Sequence, residues 1–284
     1  HGLMKGWVRD LGMTDSSQIN VTADRLDSSA LVLTGNTESL YAFAVFDLKK
    51  DGPMVFEVPP GVMGPLDDHN FLFVADIGPT GQDQGEGGKY LLLPPDYDGD
   101  VPDGYFAVRS ATYCNFSFIR ANADVVGYGD KALEFYREHA KIYPLSAGPR
   151  PPVVKNITGI AWNSLVPEDA SAFEAMHEII DYEPAEAFGR ELLGRLASLG
   201  IEKGKPFDPD ARLQGILEQA AQQGVAMSRV IAFDCRDDEA TVYPNRKWES
   251  PYVTNNSTFH RDDHIALEAR TVFDELALQR ATPH

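Results

Sequence analysis

One stretch of the chain carries the residue types that acid–base chemistry uses: Asn36, Asp67, Asp68, Asp76, Asp83, Lys89 and Arg109. Two carboxylates near a lysine can work as acid and base when their surroundings drive their pKa values apart. The catalytic set on this reading is Asp67, Asp68, Asp76, Lys89 and Arg109, with Lys89 or Arg109 steadying developing negative charge. Asn36, Tyr41, Tyr90, Tyr113 and Trp162 would hold the substrate, the aromatic rings flanking a small or sugar-like ring. The same polar residues would also serve as a buried network pinning strands and turns, and the aromatics would also fill a core. Side chains alternate along an extended chain, so only one of Asp67 and Asp68 is expected to face the interior.

Metal chemistry has four candidate sites. Asp76, Asp83 and Glu86 share one loop, and Asp96, Asp98, Asp100 and Asp103 another. Calcium takes several such oxygens, although aspartate and glycine are also ordinary turn formers. No cofactor is required by the sequence, and calcium is the one these loops would suit, with Asp76, Asp83 and Glu86 as ligands. His260 and His264 stand four apart, which on a helix puts both imidazoles on one face. Asp262 and Asp263 between them read better as helix-start residues that favour the dipole. His1 would offer an amine and an imidazole to copper only as a mature terminus. Because the chain begins at His1 rather than Met, a preceding segment is expected.

Other chemistries lack their words. There is no Gly-x-Ser-x-Gly elbow and no dinucleotide fingerprint, and Gly85-Glu-Gly-Gly-Lys-Tyr90 lacks the Ser/Thr of a phosphate loop. Of two cysteines, Cys114 has no recognisable partner motif, and Cys114 and Cys235 read either as a bridge between halves or as buried thiols. Sequons occur at Asn20, Asn115, Asn156, Asn255 and Asn256, with Asn115 in an expected strand, a poor place for a glycan.

The elements that must position these residues fall into two halves. Short aromatic and β-branched runs separated by Gly/Pro turns predict strands at 31–34, 41–47, 54–58, 71–75, 90–93, 105–108 and 115–119. Strand follows strand, which predicts antiparallel pairing in a sandwich or jelly roll. After Gly129 the period becomes helical, predicting helices at 130–143, 168–181, 184–199, 208–224 and 262–280, with a linker at 148–152. The fold class is therefore α+β: an N-terminal segment at 1–27, a β-sandwich-like domain at 28–127, and a helical region at 128–284 packed on the sandwich.

Specific words accompany these elements. Leu33-Thr-Gly-Asn-Thr-Glu-Ser-Leu-Tyr41 is followed by Asp67-Asp68 and by Asp76-Ile-Gly-Pro-Thr-Gly-Gln-Asp83. Then come Gly87-Gly-Lys-Tyr-Leu91, Val101-Pro-Asp-Gly-Tyr105, Gly204-Lys-Pro-Phe207 and Leu267-Glu-Ala-Arg270. In this order the chain resembles the domain-of-unknown-function 1254 family (DUF1254) from about Leu26 to Pro283, with Glu38 where the family commonly has Asp. The resemblance implies a β-sandwich-like domain followed by helices, and export, hence an extracytoplasmic place (periplasmic or secreted). It also implies a following β-sandwich domain, DUF1214, which is expected to be lacking here because the sequence ends at His284, where that domain would begin. It implies no established activity.

The 284 residues carry a formal net charge of −18 with 43% hydrophobic residues. So acidic a surface repels phosphate backbones and anionic lipid, which excludes a nucleic-acid partner. No apolar run approaches the roughly 20 residues of a membrane span. The expected function is hydrolase-like, on a small-molecule or carbohydrate ligand. The alternative is a non-catalytic binding or assembly module, and self-association as a homo-oligomer fits either.

Overall fold

Strand Ser39–Asp47 (β2) is buried on both sides. Leu40, Ala42, Ala44 and Phe46 enter one apolar cluster, while Tyr41, Phe43 and Val45 enter another. Such two-sided burial requires a layer on each face of its sheet.

The computed structural model describes residues 2–26, 37–162, 167–233 and 243–246. Among these the first sheet runs β10 (Val153–Asn156), β1 (Gln18–Val21), β2, β8 (Cys114–Asn122), β4 (Val62–Asp68) and β5 (Phe73–Ile77). The second runs β7 (Phe106–Arg109), β6 (Gly88–Leu93), β3 (Met54–Val58) and β9 (Lys141–Pro144). Between them lies the main core, with Phe46, Phe56, Leu66, Tyr90 and Ile142 buried; after the one-turn helices α2 (Leu48–Asp51) and α3 (Ala123–Val126), helix α4 (Asp130–His139) packs Leu133 and Tyr136 into it. The α+β class is as expected.

The other face of the first sheet is covered by helix α1 (Gly2–Leu11). Met4, Trp7 and Leu11 recur at helical spacing and meet Tyr41, Phe43, Phe116 and Trp162. The Trp7 ring stands edge-on to Phe43 and Phe116, at 5.1 and 5.6 Å between centroids.

Several elements differ from expectation. The predicted helix at 130–143 ends at His139, and Lys141–Pro144 instead joins the second sheet beside β3. Residues 18–21, 62–68 and 153–156 are strands, so the sandwich draws chain from both sides of 28–127. Pairing is antiparallel except for β1 with β10 and β6 with β7, which are parallel. Helices α5 (Ser171–Tyr182), α6 (Arg190–Ala197) and α7 (Ala211–Phe233) follow the sandwich. The predicted helix starting at Pro184 is a short 3₁₀ turn, Ala185–Ala187, before α6. The strand expected at 31–34 and the helix at 262–280 lie outside the described residues, as do His260, His264, Cys235 and His1. Cys114 carries a free thiol. The sequon residues Asn20 and Asn115 are buried, which leaves no room for a glycan on either in the folded chain.

The second sheet is clamped by Glu57 of β3. Its carboxylate accepts from Tyr143 Oη at 2.6 Å and from Lys141 Nζ at 2.9 Å. Burial works against its ionisation, but Tyr143 and Lys141 outweigh this and hold Glu57 below its ordinary value. A depressed carboxylate stabilises the fold above its unfolded pKa, and that stability is lost as pH falls through the folded value. Glu57→Gln is therefore expected to lower unfolding free energy by about 1 kcal/mol at pH 7. In denaturant titrations the difference from the wild type should shrink well below 4.5, the ordinary glutamate value. An equal difference at pH 7 and pH 3 would show that the ionised carboxylate contributes nothing.

Candidate functional site

The turn after β4 is built by Asp68. Its Oδ1 accepts the backbone N–H groups of Asn70 (2.8 Å) and Leu72 (2.9 Å), and Phe71 takes a positive φ of 63° with its ring stacked on Phe116. Burial raises the Asp68 pKa against these two bonds. The turn presents His69, whose N–H donates to Thr112 Oγ1 at 3.0 Å. Thr112 in turn donates to the Cys114 carbonyl at 2.8 Å, so one hydroxyl sets His69 against the start of β8.

The third group arrives from a distant part of the chain. Helix α5 ends at Tyr182 because Pro184 disfavours helical conformation in the residue before it. Glu183 is accordingly extended, at φ −80° and ψ 159°, and leaves the helix axis toward the sandwich. Its side chain is fully buried. Oε1 meets His69 Nδ1 at 2.6 Å and accepts from Cys114 N at 3.0 Å; Oε2 accepts from Tyr113 N at 2.5 Å. Burial opposes charge on Glu183, yet the His69 bond and the two backbone N–H groups win and hold its pKa below the ordinary value. An ionised carboxylate only accepts, so Nδ1 of His69 carries the proton. Burial, then the neighbouring Glu183 charge, pushes the Cys114 thiol up, which keeps it protonated. Ligand-type atoms of His69, Cys114 and Glu183 all lie within 4.8 Å of one another.

More contacts dock α5 on the sandwich. Tyr182 Oη donates to both oxygens of Asp47, at 2.7 and 2.8 Å, and Lys49 Nζ sits 4.3 Å over the Tyr182 ring. Lys203 Nζ donates to the Asp181 and Glu183 carbonyls, closing the C-terminus of α5.

His69 and Cys114 line a cleft of about 780 Å³. Helix α1 forms one wall with Met4 and Val8, α5 the other with Glu178 and Tyr182, and Met13 and Val45 add further apolar surface. Lys5 and Glu178 pair across the two helices. The size is that of a small-molecule site.

The residues singled out by sequence fall elsewhere. Asp67 and Asp68 are both buried, where the alternation argument expected one: they alternate regularly against Phe116 and Asn115 of β8, but this sheet is covered on both faces, and the extra residue of the nearby register shift, Val74, lies on β5. Asp76 lies on β5, half-exposed. Lys89 and Arg109 belong to the other sheet: Lys89 stands 3.9 Å from Glu57, and Arg109 donates to the Pro94 carbonyl. Asp83 Oδ1 accepts from Gly78 N and Tyr90 Oη, which shapes the 78–84 loop, and Glu86 N donates to the Asp83 carbonyl. Tyr90 is a core residue, Tyr41 and Trp162 pack under α1, and Tyr113 donates to Asp96. Asn36 lies outside the described residues. None of these described residues lines the cleft.

The comparisons with known proteins bear on the same segment. Residues 17–144 match the family described as protein of unknown function, DUF1254. The DUF1254 segment thus holds His69 and Cys114, while Glu183 comes from beyond it. The chain is similar in structure to the VPA0106 protein from Vibrio parahaemolyticus, with a TM-score of 0.53 and 18% identity. That match covers 85% of this chain and 56% of the Vibrio protein, so the chain spans just over half its length. At this identity the likeness shows a shared fold. An uncharacterised protein from Burkholderia cenocepacia matches over 53% of this chain and 41% of its own, at 15% identity and a TM-score of 0.31. No curated protein matches the chain.

His69 lies one residue beyond the Asp67-Asp68 pair, and Glu183 two beyond the end of the helix expected at 168–181. The available signals were a His directly after the turn-forming Asp68 and a carboxylate directly before Pro184. Removing the Glu183 side chain leaves several buried donors without a partner. Glu183→Ala is therefore expected to lower unfolding free energy by about 3 kcal/mol, whereas Lys89→Ala at an exposed site should change it by less than about 0.5. Denaturant titration checks both, and a Glu183→Ala loss below about 1 kcal/mol would show that Glu183 does not anchor α5.

Proposed function

We propose that this protein binds a small, largely apolar organic molecule in the cleft between α1 and α5, with a polar group of that molecule seated toward His69 and Cys114. The observation that carries this reading is the cleft itself: mostly apolar walls converging on two hydrogen-bonding side chains held from behind by a buried carboxylate. Sites for small ligands combine these features. The apolar walls favour a ligand less polar than a carbohydrate.

A hydrolase reading comes second and moves to this cleft. The 2.6 Å contact from Glu183 to His69 Nδ1 fixes the imidazole as a general base is commonly fixed, and Cys114 is the nearby candidate nucleophile. Because the thiol keeps its proton, that reaction needs His69 to remove it; the binding reading needs nothing further.

The binding reading is checked with an anilinonaphthalene probe titrated into the full chain. Val8, an exposed residue of α1 lining the cleft, tolerates enlargement without disturbing the core. Val8→Trp is expected to weaken probe binding at least about tenfold, or ~1.4 kcal/mol, with the thermal midpoint unchanged. Equal binding by Val8→Trp and wild type would place the probe elsewhere and remove the support for the cleft. Turnover of model esters that is abolished in Cys114→Ser would favour the hydrolase reading.

A further inference from the structure

We infer that His69, Cys114 and Glu183 form a mononuclear zinc site at the floor of the cleft, with a fourth coordination position turned toward the cleft. Imidazole nitrogen, thiolate sulfur and carboxylate oxygen are the three donor types that zinc takes from proteins, and three protein ligands with one open position is the arrangement of zinc sites that meet a ligand or water. Ligands placed about 2.0–2.3 Å from one tetrahedral ion stand roughly 3.3–3.8 Å apart. Here the donor atoms lie between the 2.6 Å His69–Glu183 contact and an outer limit of 4.8 Å, so shifts of around 1 Å bring them to that spacing.

The surroundings have the outer hydrogen bonds that hold metal ligands in place. Backbone N–H groups of Tyr113 and Cys114 fix the Glu183 carboxylate, and Thr112 fixes the backbone of both His69 and Cys114. All three ligands come from segments with independent supports: the Asp68 turn, the first residue of β8, and the Pro184-ended helix α5. The site is thus assembled by the fold and does not depend on the cleft's organic occupant. Its position at the cleft floor gives the ion a route in, because both His69 and Cys114 line the cleft. Loading releases the Cys114 thiol proton to solvent and moves the His69 ring proton from Nδ1 to Nε2, so that Nδ1 exchanges its hydrogen bond to Glu183 for the ion.

The experiment uses the full chain freed of metal with a chelator, then titrated with zinc by calorimetry and with cobalt by absorption spectroscopy. One equivalent of zinc is expected to bind, and cobalt is expected to show a thiolate charge-transfer band. Cys114→Ser should abolish that band, and Cys114→Ser and His69→Gln should each weaken zinc at least roughly tenfold. Cys235→Ser should keep both the band and the affinity. X-ray absorption of the zinc-loaded wild type reads the ligands without any substitution and should show one sulfur with nitrogen or oxygen neighbours. Absence of one-to-one binding, or a cobalt band that survives Cys114→Ser, would overturn the site and leave the three residues as a hydrogen-bonded anchor only. So would zinc affinity unchanged in both variants, or a metal shell without sulfur. Probe binding in the metal-free chain, measured separately, tells failure of the zinc site from failure of the cleft.

Discussion

A carboxylate with no exposure to water must be surrounded by donors, and Glu183 is the group on which the arrangement around the cleft depends. Its three partners belong to the turn after β4 and the start of β8, 114 and about 70 residues away in sequence. Each of those partners is itself fixed: His69 by the Asp68 turn and Thr112, Tyr113 and Cys114 by entry into the first sheet. Satisfying one buried charge therefore fixes the distance between helix α5 and the sandwich. Tyr182 and Lys49 add contacts on the more accessible side of the same junction, where each is worth less.

The second constraint is the double-sided burial of the first sheet. β2 and β8 send alternate residues to the inter-sheet core and to the outer aromatic layer, so the outer layer must be covered. Helix α1 covers the middle, where Trp7 meets Phe43 and Phe116. α5 is held at the strand ends by Glu183. The cleft is the space between these two covers, floored by the first residue of β8 and the turn beside it. Its shape follows from two helices anchored by different means, one by apolar packing and one by a buried charge.

How much of this could be read from the sequence follows from how local each signal is. The aromatic and apolar run in Tyr41–Asp47 and the helical spacing after Asp130 lie within single elements, so β2 and α4 were legible. The strands at 18–21 and 153–156 are short and pair in parallel with each other across more than 130 residues, and nothing within either segment announces a partner. Lys141–Pro144 continues a helical pattern and becomes a strand because Ile142 and Tyr143 pair with β3. Asp68 was singled out for chemistry, yet its carboxylate shapes the turn that delivers His69. The DUF1254 words were legible because they cluster at such turns: Asp67-Asp68, and the 76–83 loop closed by Asp83 on Gly78 and Tyr90. Glu183 stood in no word, since its role exists only when three remote segments converge.

The overall charge of −18 says little about what the cleft prefers. Among the residues lining the cleft Lys5, Arg9 and Lys50 stand with Asp15, Asp47 and Glu178, so the charges beside its apolar surface balance. Several of these charges are engaged locally: Lys5 with Glu178, Arg9 with Asp10, and Asp47 with Tyr182. The long-range field of the surface is screened within about 8–10 Å at physiological salt, whereas the cleft floor is built of buried groups that salt reaches poorly. Selection there falls to the near field of one buried carboxylate, relayed outward through His69 and Cys114. Acidity of the surface and chemistry of the cleft are therefore separate properties of this chain, and substitutions that alter one should leave the other in place.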